Sequence, residues 1–162
     1  MIEPNRKVVL GLGNILNSDE GSGVHALNLL TNTLRSYPDE IEFLDGGTLG
    51  INLLPLIESC RHLLILDSVN AGQAPGCLIE LTGKEIPLYT KVKLSQHQIT
   101  FQEVLALACF RNKLPSFFHL IGLQPADFSA GIGMSPRVAA AVPRVVDHAI
   151  LVLREWGLLK LP

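Results

Sequence analysis

Short apolar runs alternate along this chain with longer segments of helical spacing, and this alternation limits the fold more than any other feature. The run "LLILD" (63–67) is apolar up to its last residue, as expected of a strand that is covered on both faces. Such strands occur in largely parallel sheets with helices on both sides. The predicted strands are 8–12, 41–45, 63–67, 77–81 and 117–123.

The segments between the strands carry helix signals. Apolar residues at helical spacing predict a first helix over 23–35, and Thr48 is expected to cap a short second helix that reaches residue 59. A capping box formed by Thr100 and Glu103 predicts a helix over 100–112. Ser135 and Pro136 form an N-cap and N1 pair, which predicts a long helix that Gly157 ends.

The order of these elements predicts the architecture. The fourth strand follows the third without a helical crossover, so we expect it to be antiparallel to its neighbour. The element order β-α-β-α-β-β-α-β-α predicts a three-layer α/β/α sandwich with a mostly parallel, mixed five-stranded sheet. We expect residues 1–162 to form a single domain, since this length suits one compact core.

Composition excludes several classes of partner. The net charge is −2 and no Lys/Arg block occurs, which argues against a nucleic-acid or membrane partner. No apolar stretch approaches the roughly 18 residues of a membrane span.

The three cysteines are widely spaced and form no C-x-x-C pair, which argues against a disulfide framework and a structural zinc site. We expect them to act as small core residues. We therefore expect a cytoplasmic protein, and we expect a monomer.

The segment "VVLGLGNILNSDEGSG" (8–23) is a glycine-rich break after the first strand, where nucleotide-binding proteins place a phosphate loop. The dinucleotide fingerprint G-x-G-x-x-G fails at its third glycine, which is Leu16 here, and no Walker Gly-Lys-Ser/Thr follows. Asp19 and Glu20 would also repel phosphate oxygens. This loop is better suited to a cation than to a nucleotide.

Polar side chains follow several of the predicted strands. In a parallel sheet the ligand site lies beyond the carboxyl ends of the strands, which would bring together an acid of the first loop (Asp19 or Glu20), Asp67 and the loop residue His97. Two carboxylates and an imidazole form a mixed O/N ligand set that suits zinc, nickel or iron. Asp45 ends the second predicted strand at the same edge.

Each of these residues also has a purely structural interpretation. Asp19 or Glu20 could cap the first helix, and Asp45 or Asp67 could belong to a turn. His97 could be an exposed loop residue. No G-x-S-x-G elbow, H-E-x-x-H motif or paired cysteine and histidine indicates a conventional hydrolase.

Taken together, the motifs resemble the [NiFe]-hydrogenase maturation endopeptidases. The segment "GLGNILNSDEGSGVHAL" is similar to that family's opening signature, G-x-G-N-x-L-x-x-D-[DE]-G-x-G. The resemblance covers nearly the whole chain in the correct order, through "EFLDGGTLGINLL", "HLLILDSVNAGQAPGCLIEL", "LSQHQITFQEVLALA" and "HLIGLQPADFSAGIGMSPRVAAAVPRVVDHAI".

The resemblance implies an α/β/α sandwich and a specific reaction. Family members remove a short C-terminal extension from the precursor of the [NiFe]-hydrogenase large subunit after nickel insertion. Matched position by position, the metal-contacting residues fall on Glu20, Asp67 and His97, and the nickel is carried by the substrate. The first acid, Asp19, is left as the expected helix cap, and Asp45 of "DGGT" is assigned a supporting catalytic role near the scissile bond.

Two alternatives remain open from the sequence. The chain could be a Rossmann-like module that binds a nucleotide or metal without cleaving anything. It could also be a metallohydrolase that acts on small molecules. Neither the attacking group nor the role of nickel, as catalyst or as recognition element, can be decided from the residues.

Overall fold

The computed structural model describes residues 3–34, 36, 40–88 and 100–160. The described strands form one five-stranded sheet in the order β2-β1-β3-β5-β4. Neighbouring strands are parallel except for β4, which runs antiparallel to β5, as the missing crossover predicts. The strands are β1 (Arg6–Leu12), β2 (Glu42–Gly47), β3 (Cys60–Ser68), β4 (Leu78–Thr82) and β5 (Phe117–Leu123).

Helices cover both faces of this sheet. On one face α1 and α4 share a buried cluster with Leu64 and Leu66, and on the other α2 and α3 pack with Leu63 and Ile65. These four consecutive residues of β3 are completely buried, because alternate side chains enter opposite cores. The three-layer prediction is therefore confirmed. The helices are α1 (Ser22–Thr33), α2 (Leu54–Ser59), α3 (Phe101–Phe110) and α4 (Pro136–Glu155).

Several local predictions are corrected by the structure. The short helix predicted over 48–59 is divided into a 3-10 helix (Gly50–Leu53) and α2, and its N-cap is Leu49, with no side-chain cap from Thr48. Pro55 lies in the first turn of α2, where its missing N–H costs no helical hydrogen bond. The Thr100–Glu103 capping box of α3 is present as predicted.

The cysteines differ from one another in burial. Cys60 belongs to the core, and burial raises the pKa of its thiol to about 11, so it has little thiolate character at neutral pH. Cys77 is half-buried and Cys109 is exposed, so the prediction that all three are core residues is wrong. The apolar stripe of α3 leaves Cys109 facing outward, which a residue-type rule does not anticipate.

The start of α1 lies unusually close to the ends of two strands. A Cβ atom on Gly23 would overlap the carbonyl oxygens of Leu66 and Leu12, and one on Gly13 would overlap the carbonyl oxygen of Glu20. Gly13 also has φ +117°, which side-chain-bearing residues rarely adopt. These glycines let the loop after β1 fold tightly against the carboxyl edge of the sheet.

We predict that Gly13→Ala lowers the free energy of unfolding by about 3 kcal/mol or more, because the added methyl group meets fixed backbone in a strained conformation. Gly72→Ala is the matched control, since Gly72 also has positive φ (+69°) but has nothing within 4 Å of its Cβ position. That variant should lose only about 1–2 kcal/mol. Urea unfolding measures both, and equal losses would contradict the packing argument.

Candidate active site at the carboxyl edge of the sheet

The loop after β1 brings two acidic side chains to the carboxyl edge. Its 3-10 helix, Ser18–Gly21, contacts β3 and carries both Asp19 and Glu20. Asp19 is completely buried and Glu20 is only 9% exposed. Such burial is rare for carboxylates on a surface loop, and it requires hydrogen-bond partners or a bound cation.

Glu20, the predicted metal ligand, is oriented by its own loop. The Asn17 side-chain amide donates a hydrogen bond of 3.0 Å to Glu20 Oε2. Because Asn17 and Glu20 belong to the same turn, this contact fixes the carboxylate without contributing a positive charge. The predicted placement of Glu20 at the carboxyl edge agrees with the structure.

Asp67, the second predicted ligand, is the next-to-last residue of β3 and is 3% exposed. Its Oδ1 accepts a hydrogen bond of 2.7 Å from the backbone N–H of Ser68. The alternative in which Asp67 belongs to a turn is not supported, since it pairs with Gly122 of β5 within the sheet. The 3-10 helix that carries Glu20 packs on the same strand.

Asp45, the predicted supporting residue, lies inside β2, which continues to Gly47. Asp45 is exposed, and its Oδ1 accepts a hydrogen bond of 2.8 Å from the Gly47 N–H, so part of its role is a local turn contact. It pairs with Gly11, and Gly11 pairs with Leu66 on the other side. The backbone of Asp45 is therefore about 10 Å, or two strand spacings, from the backbone of Leu66, the residue before Asp67.

His97, the third predicted ligand, lies outside the described residues. Within residues 3–88 and 100–160, apart from the gaps at 35 and 37–39, no three His, Cys, Asp or Glu side chains are grouped as a metal site. Glu20 and Asp67 are thus the described members of the predicted ligand set. The metal site remains a prediction.

Asp19 has a different role from the one predicted. The N-cap of α1 is Gly21, with no side-chain cap, so Asp19 does not cap this helix. Its Oδ2 accepts hydrogen bonds from the backbone N–H groups of Ala126 (2.8 Å) and Asp127 (2.9 Å). Its Oδ1 accepts one from the Ser135 N–H (2.7 Å), and the Ser135 hydroxyl donates to Oδ2 (2.8 Å).

These contacts explain why Ser135 does not act as the predicted side-chain cap of α4. Ser135 is the N-cap by position, but its hydroxyl is bonded to Asp19 instead of to its own helix. Asp19 therefore joins the loop after β1 to the loop after β5 and to the start of α4. Local sequence rules could not find this, because the partners are 107 to 116 residues away.

Further hydrogen bonds fasten the same two loops. The Ser18 N–H donates to the Gly131 carbonyl (3.0 Å), and the Gly131 N–H donates to the Leu16 carbonyl (2.8 Å). The Ser18 hydroxyl donates to the Ser129 carbonyl at 2.9 Å. The loop after β3 is bonded to the loop after β5, since Gln124 Oε1 accepts a hydrogen bond of 2.8 Å from the backbone N–H of Ala71. The carboxyl edge is consequently one connected structure.

The four described segments of this edge carry charges of a single sign. Segments 13–21, 45–53, 67–77 and 124–135 contain no Lys, Arg or His. They do contain five acids, which are Asp19, Glu20, Asp45, Asp67 and Asp127. The summed field of these carboxylates attracts cations and repels phosphate. Together with the filled space around Gly13 and Gly23, it disfavours the nucleotide-binding alternative.

Three described histidines, His62, His119 and His148, lie in β3, β5 and α4. His62 stacks on Phe117 with ring centroids 4.2 Å apart, and burial lowers its pKa. Burial also lowers the pKa of His119, an effect that nearby Glu80 opposes. His148 Nδ1 lies 2.6 Å from Glu80 Oε1. Each of these three rings therefore has contacts within the fold.

Comparison with known proteins identifies the family. The model of the HycI family, described as hydrogenase maturation protease, matches residues 24–152. The hydrogenase 2 maturation protease of Escherichia coli is 35% identical over 158 residues, covering 97% of this chain and 96% of that protein. The chain belongs to the hydrogenase maturation protease family. It is therefore a peptidase, which favours that interpretation over a binding module or a small-molecule hydrolase.

Other relatives and solved structures agree with this family. The hydrogenase expression/formation protein HupD of Rhodobacter capsulatus is 37% identical, covering 96% of this chain and 75% of its own length. The maturating endopeptidase HybD from Escherichia coli superposes with a TM-score of 0.83 at 35% identity and 94% coverage of both chains. Within the described part of this maturation protease, no helix is long and apolar enough to cross a membrane.

We predict that Asp19→Asn lowers the free energy of unfolding of this protease by about 2–4 kcal/mol. Both carboxylate oxygens accept from backbone N–H groups, so either orientation of the amide places its NH₂ against a donor. Ser135→Ala, the control, removes one hydroxyl donor and should lose about 1 kcal/mol. Denaturant titration measures both losses. An Asp19→Asn variant as stable as the wild type would show that the two loops are held by other contacts.

Proposed function

We propose that this maturation protease removes the C-terminal extension from the precursor of a [NiFe]-hydrogenase large subunit after nickel has been inserted. The observation that carries the proposal is the pair of buried carboxylates, Glu20 and Asp67, at an edge whose four described segments contain no basic residue, in a chain of this family. Names of relatives such as the E. coli hydrogenase 2 maturation protease support the substrate class.

Nickel enters this proposal as part of the substrate. The precursor would present the metal on its own cysteine thiolates, and Glu20, Asp67 and His97 of the protease would complete the ligand shell. The two carboxylates are little exposed to bulk solvent, so a metal-bearing segment would have to dock closely against the edge to reach them. A precursor without nickel would gain none of these contacts and would bind weakly.

Two routes to peptide hydrolysis fit these residues. In the first, nickel on the substrate would polarise the scissile carbonyl or activate a water molecule, and Asp45 or Glu20 would accept the proton of the attacking water. In the second, nickel only positions the bond, and an aspartyl-type mechanism uses a carboxylate to activate the attacking water. The exposed position of Asp45 leaves it accessible to a docked polypeptide.

The proposal extends to the protein's surroundings. We propose that the enzyme acts as a monomer in the cytoplasm. The three cysteines are free, in agreement with a reducing compartment.

The first prediction from this proposal concerns the metal content of the substrate. Purified protease should cleave the nickel-loaded precursor and leave the nickel-free precursor intact, because the ligands of the enzyme have no metal to bind in the second case. Mass spectrometry of the large subunit after incubation measures the loss of the extension. Equal cleavage of both precursors would refute recognition through nickel.

The second prediction concerns the ligands. Glu20→Gln, Asp67→Asn and His97→Ala should each reduce processing at least about a hundredfold, while thermal unfolding confirms that the variant is folded. Asp147→Asn is the control, since Asp147 is an exposed carboxylate on α4. Normal processing by His97→Ala would remove His97 from the proposed set. Tight zinc in the isolated protein would instead favour a small-molecule metallohydrolase.

A further inference from the structure

Exposed apolar side chains are concentrated at the carboxyl edge of the sheet. Large apolar side chains are normally buried, and a group of them on one surface marks an interaction site more often than single exposed ones do. We call this group the apolar rim. Its members are Ile15 (47% exposed), Leu16 (58%), Leu49 (53%), Ile51 (41%) and Ile132 (92%).

The loops that carry the apolar rim are bonded to one another through their backbones. The hydrogen bond from the Gly131 N–H to the Leu16 carbonyl places Ile132 beside the first loop. The Gly13 N–H donates to the Gly47 carbonyl at 3.1 Å, which joins the first loop to the segment that carries Leu49. These loops are fixed before any partner binds, so little ordering entropy opposes binding.

The apolar rim also borders the candidate ligands. Leu16 lies in the same loop as Glu20, and Leu49 follows Asp45 in the loop after β2. Ile132 lies in the loop that Asp19 holds against the 3-10 helix. Exposed apolar side chains therefore lie beside the residues that are proposed to bind the metal.

The charge of the surrounding loops limits which kind of partner can bind to the apolar rim. Segments 13–21, 45–53, 67–77 and 124–135, which carry or adjoin the apolar rim, contain five acids and no basic residue, so these segments would repel an acidic partner. A segment that is apolar and uncharged, and that continues into a cationic metal-bearing portion, complements both the apolar rim and the carboxylates. A bound nucleic acid is excluded by the same sign of charge.

We propose that the apolar rim binds an uncharged, apolar stretch of the hydrogenase precursor next to its nickel-bearing segment. This inference rests on the proposed function, from which it takes the identity of the occupant. The apolar contacts form equally in the bound substrate and in the transition state, so they lower KM and leave kcat unchanged. They also do not depend on nickel, so they contribute to the binding of nickel-free precursor as well.

The test uses a double variant, Leu16→Gln with Ile132→Gln. It should raise KM for nickel-loaded precursor about tenfold, with kcat within about twofold of the wild type, since apolar area no longer becomes buried on binding. The matched control is Leu151→Gln with Phe110→Gln, whose side chains are 52% and 86% exposed but lie on α4 and α3. The control should retain the KM of the wild type.

Binding of nickel-free precursor, measured by calorimetry, provides a second readout. Its affinity should fall by the same factor in the apolar-rim variant, whereas a change confined to nickel-loaded precursor would assign the effect to the metal site and overturn the inference. An unchanged KM would also overturn the inference.

If the wild type forms a dimer that the variant abolishes, the partner bound at the apolar rim is a second copy of this chain, and the inference is overturned. If the wild type cleaves neither precursor, the proposed function fails, and calorimetry still tests the apolar rim.

Discussion

One buried carboxylate holds the candidate site together. Asp19 accepts hydrogen bonds from three backbone N–H groups and one hydroxyl, all in the loop after β5 or at the start of α4. Hydrogen bonds to a charged group are the stronger kind, and leaving their donors unsatisfied in the interior is costly. The position of Glu20, its neighbour in the 3-10 helix, therefore depends on contacts made more than a hundred residues away.

The site combines features that oppose stability when it is empty. Acids are gathered without basic residues in the same segments, and apolar side chains remain exposed around them. Such arrangements persist in proteins where binding requires them, and the rest of the fold supplies the compensating stability. Here that stability comes from the two cores on either side of β3. A docked, metal-bearing polypeptide would relieve both unfavourable features together.

Much of the fold is determined by patterns that act over short distances. The apolar run of β3, the capping box of α3 and the missing crossover before β4 each predicted what the structure contains. The role of Asp19 was missed because capping rules consider only neighbouring residues, whereas its partners come from the last loop. The sequence predicted that Glu20 and Asp67 lie at one edge, since parallel strands end together. It could not reveal that exposed Leu16 and Ile132 adjoin, because their proximity arises from loop-to-loop hydrogen bonds.

The close packing at Gly13 and Gly23 separates two kinds of information within the opening motif. These glycines are required by the local backbone, since a methyl group at either position would collide with strand or loop carbonyls and Gly13 also has positive φ. Their presence consequently indicates only that the start of a helix packs closely against a sheet, and proteins with other activities could share them. Of the two acids between them, Asp19 joins the loops and Glu20 is the proposed ligand. A chain that keeps the glycines but lacks both acids would share the architecture of this loop without the proposed ligand or the contact that positions it.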